Sequence, residues 1–372
     1  MRKLYPQALA DSSWDNTGLL LEAPFNPSSR RSNTVLLTID LTRAVADEAI
    51  ALDSSIIIAY HPIIFRGLKS ITLANTQQST LLRLASHGIS VYSPHTAVDA
   101  APGGLGDWLA DIVTATKTTR SFPPESPDED VVESVETPDI KKEPLTSDDD
   151  DPFIENKTRP VFTLHSHPSQ TVLRPFTNKP PPPNIVAVPH TRRPIIPQSP
   201  ELDSHPGAGM GRIVNFKDAQ PLTIILDRIG RGLNNPKGFP IAIPQNKAIS
   251  DIEIKSVGIC AGSGGSMLAN LDVDLLFTGE MSHHEALAAI EKGQVVISIF
   301  HSNSERGFLG DVLAGQLDEA VAKEWRVVRE EERESGEKGV KEALEEDDFE
   351  VLVSEEDRDP FGIVILKHEK EE

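Results

Sequence analysis

One cysteine stands in 372 residues. A lone thiol, Cys260, excludes a disulfide framework and any thiolate metal cluster. Positive charge is also short, with 36 Lys and Arg against 57 Asp and Glu. No stretch combines basic residues with interleaved aromatics, so a nucleic-acid surface is not expected. No apolar run is long enough to span a membrane. The N-terminal MRKLYPQALADSSW lacks the apolar core of a signal peptide. These absences lead to the expectation of a cytoplasmic protein with neither nucleic acid nor membrane as partner. Apolar content of 38% is low for a compact fold and 29 prolines are many, so part of the chain is expected to lie outside any core. Much of the net charge of −21 sits in two acidic runs, Pro124–Asp151 and Glu330–Asp348.

What is present alternates strand and helix patterns. NTVLLTIDLT reads as a strand, TRAVADEAIAL as a helix by its apolar spacing, and SSIIIAYHPIIF as a buried strand ending at His61. A helix over Thr80–His87 stops at Gly88. The strand ISVYS then leads to a loop with His95 and Asp99 and a helix around Trp108. That rhythm is doubly wound α/β. Residues 118–204 change character: acidic, then Pro-rich with KPPPPN and RRPIIPQSP. Such composition cannot offset the entropy of ordering, and a disordered insertion is expected there. A second ordered half, residues 205–372, repeats the first half's rhythm after the Gly-rich HPGAGMGR. It carries a charged insertion around residues 329–348. The first half is bounded at residues 1–117.

Three loci share one geometry. His61, the pair His95 and Asp99, and the pair His301 and Glu305 each follow an apolar strand. Ligands of open α/β sheets bind beyond the carboxyl ends of strands. Any one of these histidines alone reads as structural; three at strand ends point to metal ligation. Imidazole and carboxylate without thiolate suit zinc, iron, manganese or nickel better than calcium. Carboxylates can also bridge two ions about 3.5–4 Å apart. Glu305 has a competing reading, because Ser302-Asn303-Ser304-Glu305 has the form of a capping box. The residues leave capping and ligation both open.

The remaining candidates are weaker. Ser282-His283-His284-Glu285 is a capping box, and adjacent histidines on a helix cannot share a face. His87 lies where a cation suits a helix end. His165, His167, His190 and His205 fall in or beside the Pro-rich segment and are expected to be solvated. CAGSGGS and GAGMG could cradle an anion, but they lack P-loop and dinucleotide spacing, so tight turns are the better reading. Cys260 sits in the apolar run VGIC as a small hydrophobe. No G-x-S-x-G elbow supports a serine hydrolase.

SSWDNTGLLL, YHPIIF, PHTAVDAAPGGLGDWLA, HPGAGMGR, CAGSGGS, TGEMSHHEAL and HSNSERGFL occur here in one order. Together they resemble the NIF-three-like family, once labelled in bacteria as a second type of GTP cyclohydrolase I. The resemblance covers both ordered halves and skips the low-complexity runs. It implies two similar three-layer α/β lobes with a dinuclear metal site in the cleft between them, and ring-like homo-oligomers. It makes His61, Asp99, His301 and Glu305 ligands, with His95 at or beside the site. Tyr60-His61 stands where many bacterial members have two adjacent histidines. The chain is expected to begin after the family's usual first helix, and its insertion sits where some bacterial members carry a folded domain.

The functional expectation is one or two divalent ions per chain serving hydrolysis of a small phosphorylated or nucleotide-like molecule. His95 is expected as the proton shuttle, since imidazole exchanges protons near neutral pH. The alternatives are a metal-binding or metal-delivery protein and a transcriptional interaction partner.

Overall fold

The computed structural model describes residues 1–24, 31–116, 187–234, 236–335 and 348–364. The acidic run and most of the expected insertion therefore lie outside the described residues, as does most of the charged segment after residue 335.

The first half gives four short strands, β1 Gly18–Leu21, β2 Thr34–Thr38, β3 Ile56–Ala59 and β4 Ser90–Ser93. Helices α1 Arg43–Ala51 and α2 Thr76–Ser86 connect the last three. Each helix starts where a polar side chain takes an orphan backbone donor. Thr42 accepts from the Val45 amide and Asn75 from the Gln78 amide. Helices α3 Thr96–Ala100 and α4 Leu105–Thr114 follow β4.

The second half begins earlier than expected. His190–Arg193 forms β5 and Ile196–Pro197 forms β6, inside the segment read as disordered. The prolines do not prevent this, because β5 ends before Pro194 and lies at a sheet edge, where lost donors cost least. Then come β7 Gly209–Met210, β8 Arg212–Pro221, α5 Leu222–Gly232, β9 Ile241–Ala242, β10 Glu253–Ser263 and the short α6 Gly265–Leu268. β11 Leu275–Glu280, α7 His283–Glu291 and β12 Val295–Ser298 complete the sheet's centre. The capping box read at Ser282 and Glu285 is present. A short helix α8, Arg306–Phe308, leads through a π turn into α9, Ala314–Ser335. The last described strand is β13, Glu350–Val353.

Two main sheets result, each mixed and flanked by helices. The first has the order β1-β4-β3-β2-β13 and the second β5-β8-β10-β11-β12-β9. β4, β3, β2 and β13 run parallel, as do β10, β11 and β12. β13 corrects the division at residue 205, since it pairs with β2 in the first sheet from Thr34↔Glu350 to Leu37↔Val353. β2 otherwise leaves an open edge, and a returning C-terminal strand covers it. The principal core is shared between the halves. Leu37, Ile58 and Trp108 lie in one buried cluster with Phe216, Ile259, Phe277 and Phe308. Trp108 is fully enclosed, and Gly307 allows its ring to approach: a Cβ there would fall 2.8 Å from it.

Arg212 fastens the halves. It is 2% exposed, and its guanidinium donates to Asp107 at 2.8 and 2.9 Å and to the carbonyls of Ala101, Gly209 and Gly211. The GAGMG turn is thus filled by the chain's own arginine, which supports the tight-turn reading. In CAGSGGS the Gly262 amide donates to Ser304 Oγ at 2.7 Å and the Gly264 amide to Thr278 Oγ1 at 3.1 Å. Those two donors are spent inside the protein, which supports the tight-turn reading here as well.

Candidate metal centre

Strand ends deliver the histidines. Beyond β3, the Tyr60 and His61 amides donate to the carbonyls of Thr38 and Ile39, extending the ladder past the strand. Beyond β12, Phe300 takes a φ of 69° and turns the chain, placing His301. Beyond β4, His95 itself has a φ of 33°. Left-handed backbone costs an L-residue about 1–2 kcal/mol. Strain of this kind gathers at functional sites. Two of the three histidine loops carry it.

Each histidine is oriented by a carboxylate on Nδ1. Asp40 Oδ1 accepts from His61 at 2.9 Å, Asp15 Oδ1 from His95 at 2.6 Å, and Glu280 Oε1 from His301 at 2.8 Å. This arrangement fixes the tautomer and leaves Nε2 as the coordinating nitrogen, as in carboxylate–histidine–metal triads. None of the three carboxylates was singled out from the sequence. Asp40 and Glu280 lie at or just past the carboxyl ends of β2 and β11, so the rule that found the histidines could have found them. Asp15 had no signal beyond its place in SSWDNTG.

His61, His301 and Glu305 converge. One ligand atom from each lies within 4.8 Å of the others, and among the described residues this is the sole such group. His61 Nε2 is 3.4 Å from Glu305 Oε2, and His301 Nε2 is 3.6 Å from Glu305 Oε1. The Glu305 side chain is 2% exposed. Its Oε2 is buried and accepts no hydrogen bond. A buried carboxylate needs a cation beside it, and without metal the nearest is the His61 imidazolium, 3.4 Å from Oε2. Two imidazole nitrogens and such an oxygen are a fitting donor set for a divalent transition metal.

The capping reading of Glu305 does not survive. Ser302–Ser304 is a single 3-10 turn with no side-chain cap, and none is made at α8 either. Ser302 Oγ instead donates to Asp359 Oδ2 at 2.9 Å and accepts from Arg306. Gly262 explains how Glu305 fits. At φ 58° it has no side chain, and a Cβ there would lie 2.8 Å from Glu305 Oε1 and 2.9 Å from His301 Nε2.

His95 and Asp99 stand beside this group and outside it. The His95 ring is 5.5 Å from that of His61, edge-on. Asp99 Oδ1 accepts a 2.6 Å hydrogen bond from the Tyr60 hydroxyl. Tyr60 packs against both rings, 5.0 Å from His61 and 5.3 Å from His95. Burial pushes the Asp99 carboxyl up to about 6, with the Tyr60 hydrogen bond and the His95 charge opposing the rise. Burial works against the charge on His61, but the carboxylates of Asp40 and Glu305 win and raise it to about 10. Without metal, His61 therefore carries a proton between those carboxylates. Cys260 is buried, and burial with the charges of Asp99 and Glu305 pushes its thiol to about 12. It behaves as the small hydrophobe read from the sequence.

The other histidines lie elsewhere. His283 and His284 are exposed at the start of α7, and His87 ends α2. His190 lies in β5, and His205 bonds the Leu4 carbonyl at 3.1 Å, so neither is simply solvated. His165 and His167 lie outside the described residues.

The chain has relatives. The family model Duf34/NIF3 (NGG1p interacting factor 3) matches residues 1–334. The Schizosaccharomyces pombe protein NIF3 homolog is 38% identical over 326 residues, covering 87% of this chain and 88% of its own. NGG1-interacting factor 3 of Saccharomyces cerevisiae is 34% identical, covering 85% and 88%. Human NIF3-like protein 1 is 32% identical, covering 95% and 88%. Among solved structures, the Bacillus cereus protein related to NIF3 superposes with a TM-score of 0.57 at 19% identity, covering 98% of this chain and 96% of its own. Reduced HcgD from Methanocaldococcus jannaschii gives 0.51 at 16%, covering 95% and 93%. These two likenesses establish shared fold alone. The sequence matches go further, for they run through both sheets and every strand end that carries a site histidine: the chain belongs to the DUF34/NIF3 family.

Proposed function

We propose that the chain is a metal-dependent hydrolase acting on a small phosphorylated or nucleotide-like substrate. One observation carries this reading: the buried Glu305 carboxylate, Oε2 toward His61 and Oε1 toward His301, between two imidazoles whose orientation is fixed by carboxylates. His61, His301 and Glu305 would hold the ion, and zinc, iron, manganese or nickel suits the set. The ion would supply Lewis acidity and a water of lowered pKa.

The chain's own residues do the rest. Asp40 and Glu280 hold the two ligand rings, so little reorganisation is needed on binding. Asp15 holds His95 through Nδ1, and its second oxygen accepts from the Thr96 amide at 3.2 Å. That leaves His95 Nε2 to take and return a proton beside the ligand group. Trp14 bounds His95 on one side, with ring centroids 5.7 Å apart, and is itself half exposed. A substrate entering past Trp14 would meet His95 and then the ion. Assembly into a homo-oligomer through the lobes remains part of this reading, on the family resemblance.

The test is turnover of nucleoside phosphates and p-nitrophenyl phosphate by the metal-loaded chain. We expect hydrolysis that needs metal and falls at least a hundredfold in His95→Gln, with metal content unchanged. Full metal occupancy without turnover on such a panel would favour metal storage or delivery. The name of the budding-yeast relative favours an interaction role. That role predicts partner capture that persists in Glu305→Gln.

A further inference from the structure

We propose that this chain holds a single divalent ion and that Tyr60 sets the limit. The inference rests on the metal-binding reading above and narrows it. Family resemblance implies a pair of ions, and the residues present fit one.

A second ion beside the first needs a bridging carboxylate and donors of its own. Glu305 is the one carboxylate in the convergent group, with Oε2 toward His61 and Oε1 toward His301, so a second ion would need further donors from outside that group. The groups left on the far side of His61 are His95 and Asp99, and neither joins the convergent set. The reason lies in Tyr60. It is 4% exposed, and its ring lies against both His61 and His95. Its hydroxyl donates to Asp99 Oδ1 at 2.6 Å. A short hydrogen bond from a buried neutral phenol satisfies that carboxylate oxygen without a metal. A neutral phenol is also a poor ligand for a divalent ion, which prefers imidazole or an ionised oxygen. The ring packed beside both His61 and His95 thus offers neither charge nor a nitrogen lone pair. Tyr60 competes with an ion for Asp99 at Oδ1 and adds no donor of its own beside His95.

Two substitutions separate this from a pair of ions. Asp99→Asn keeps an acceptor for the Tyr60 hydroxyl and removes only the carboxylate charge. Tyr60→His places a nitrogen donor beside Asp99. Purified full-length chain is stripped, titrated with Zn(II) or Mn(II), and assayed by elemental analysis. Thermal midpoints report folding. We expect one equivalent in the parent, one in Asp99→Asn, and two in Tyr60→His. Two equivalents in the parent, or loss of an equivalent in Asp99→Asn, would overturn the single-ion site. A folded Tyr60→His that stays at one would overturn the role given to Tyr60. No metal in the parent at all would remove the underlying metal-binding reading, an outcome distinct from these. Should Tyr60→His fail to fold, the parent and Asp99→Asn still decide the ion count.

Discussion

His61 Nε2 and Glu305 Oε2 stand 3.4 Å apart, joining the end of β3 in one sheet to the turn after β12 in the other. Neither sheet alone assembles the ligand group. The contact also brings a raised imidazole beside a buried carboxylate oxygen that accepts no hydrogen bond.

Glu305 is therefore expected to be essential for metal and dispensable for capping. Glu305→Gln removes the charge and keeps the shape. It should retain the fold, with a thermal midpoint modestly below that of the metal-free parent, because the His61 imidazolium loses one of its two carboxylate partners. Metal content by elemental analysis should fall to near zero. Parental metal content in this variant would show that Glu305 is no ligand.

Proton and metal compete at His61. Burial alone would hold its imidazolium down, but Asp40 and Glu305 raise it from 6.5 to about 10. The folded pKa is above the unfolded one. The stability it contributes to the metal-free chain is thus full below about 6.5 and is lost as pH rises through about 10. Metal affinity runs the other way, strengthening about tenfold per unit as pH rises toward 10, since the ion must displace that proton. Calorimetric titration between pH 6 and 8 in buffers of different ionisation enthalpy should show about one proton released per ion. An affinity flat across that range would contradict the protonated state of His61.

Gly262 should not tolerate a methyl group. Alanine at φ 58° costs about 1–2 kcal/mol on backbone grounds, and its Cβ would press on Glu305 Oε1 and His301 Nε2. Gly262→Ala should therefore lower metal affinity by much more than it lowers the thermal midpoint of the metal-free chain. Equal metal affinity would mean that the two ligands have room to move.

Asp357 clamps the site from the C-terminal segment. Its Oδ2 accepts from the Ile39 amide at 2.7 Å, next to Asp40, and its Oδ1 accepts from Arg306 at 3.0 Å, next to Glu305. Asp357→Ala strands both donors and should cost about 2–4 kcal/mol. Denaturant unfolding measures it. A loss under about 0.5 kcal/mol would show that the segment only lies on the surface.

Histidines at strand ends are visible in a sequence because a β-branched run ends on a polar residue, and that pattern located His61, His95 and His301. It could not rank them. Whether His95 joins His61 depends on Tyr60, whose buried hydroxyl reads as an ordinary aromatic position until its partner Asp99 is seen. Ser302 and Glu305 show the opposite failure. The local capping motif is real as spacing, but Asp359 and Arg306 claim the serine, and Gly262 opens room for the glutamate beside His301. β13 escaped for a similar reason. A parallel pairing with β2 links positions hundreds of residues apart, and no local pattern carries it.

A metal held by His61, His301 and Glu305 can be located by its own scattering. Anomalous diffraction from crystals of the zinc-loaded chain, recorded on both sides of the zinc edge, tests it most directly. We predict one strong peak bounded by His61 Nε2, His301 Nε2 and the Glu305 carboxylate. A peak elsewhere, or none in crystals that elemental analysis shows to contain zinc, would contradict it.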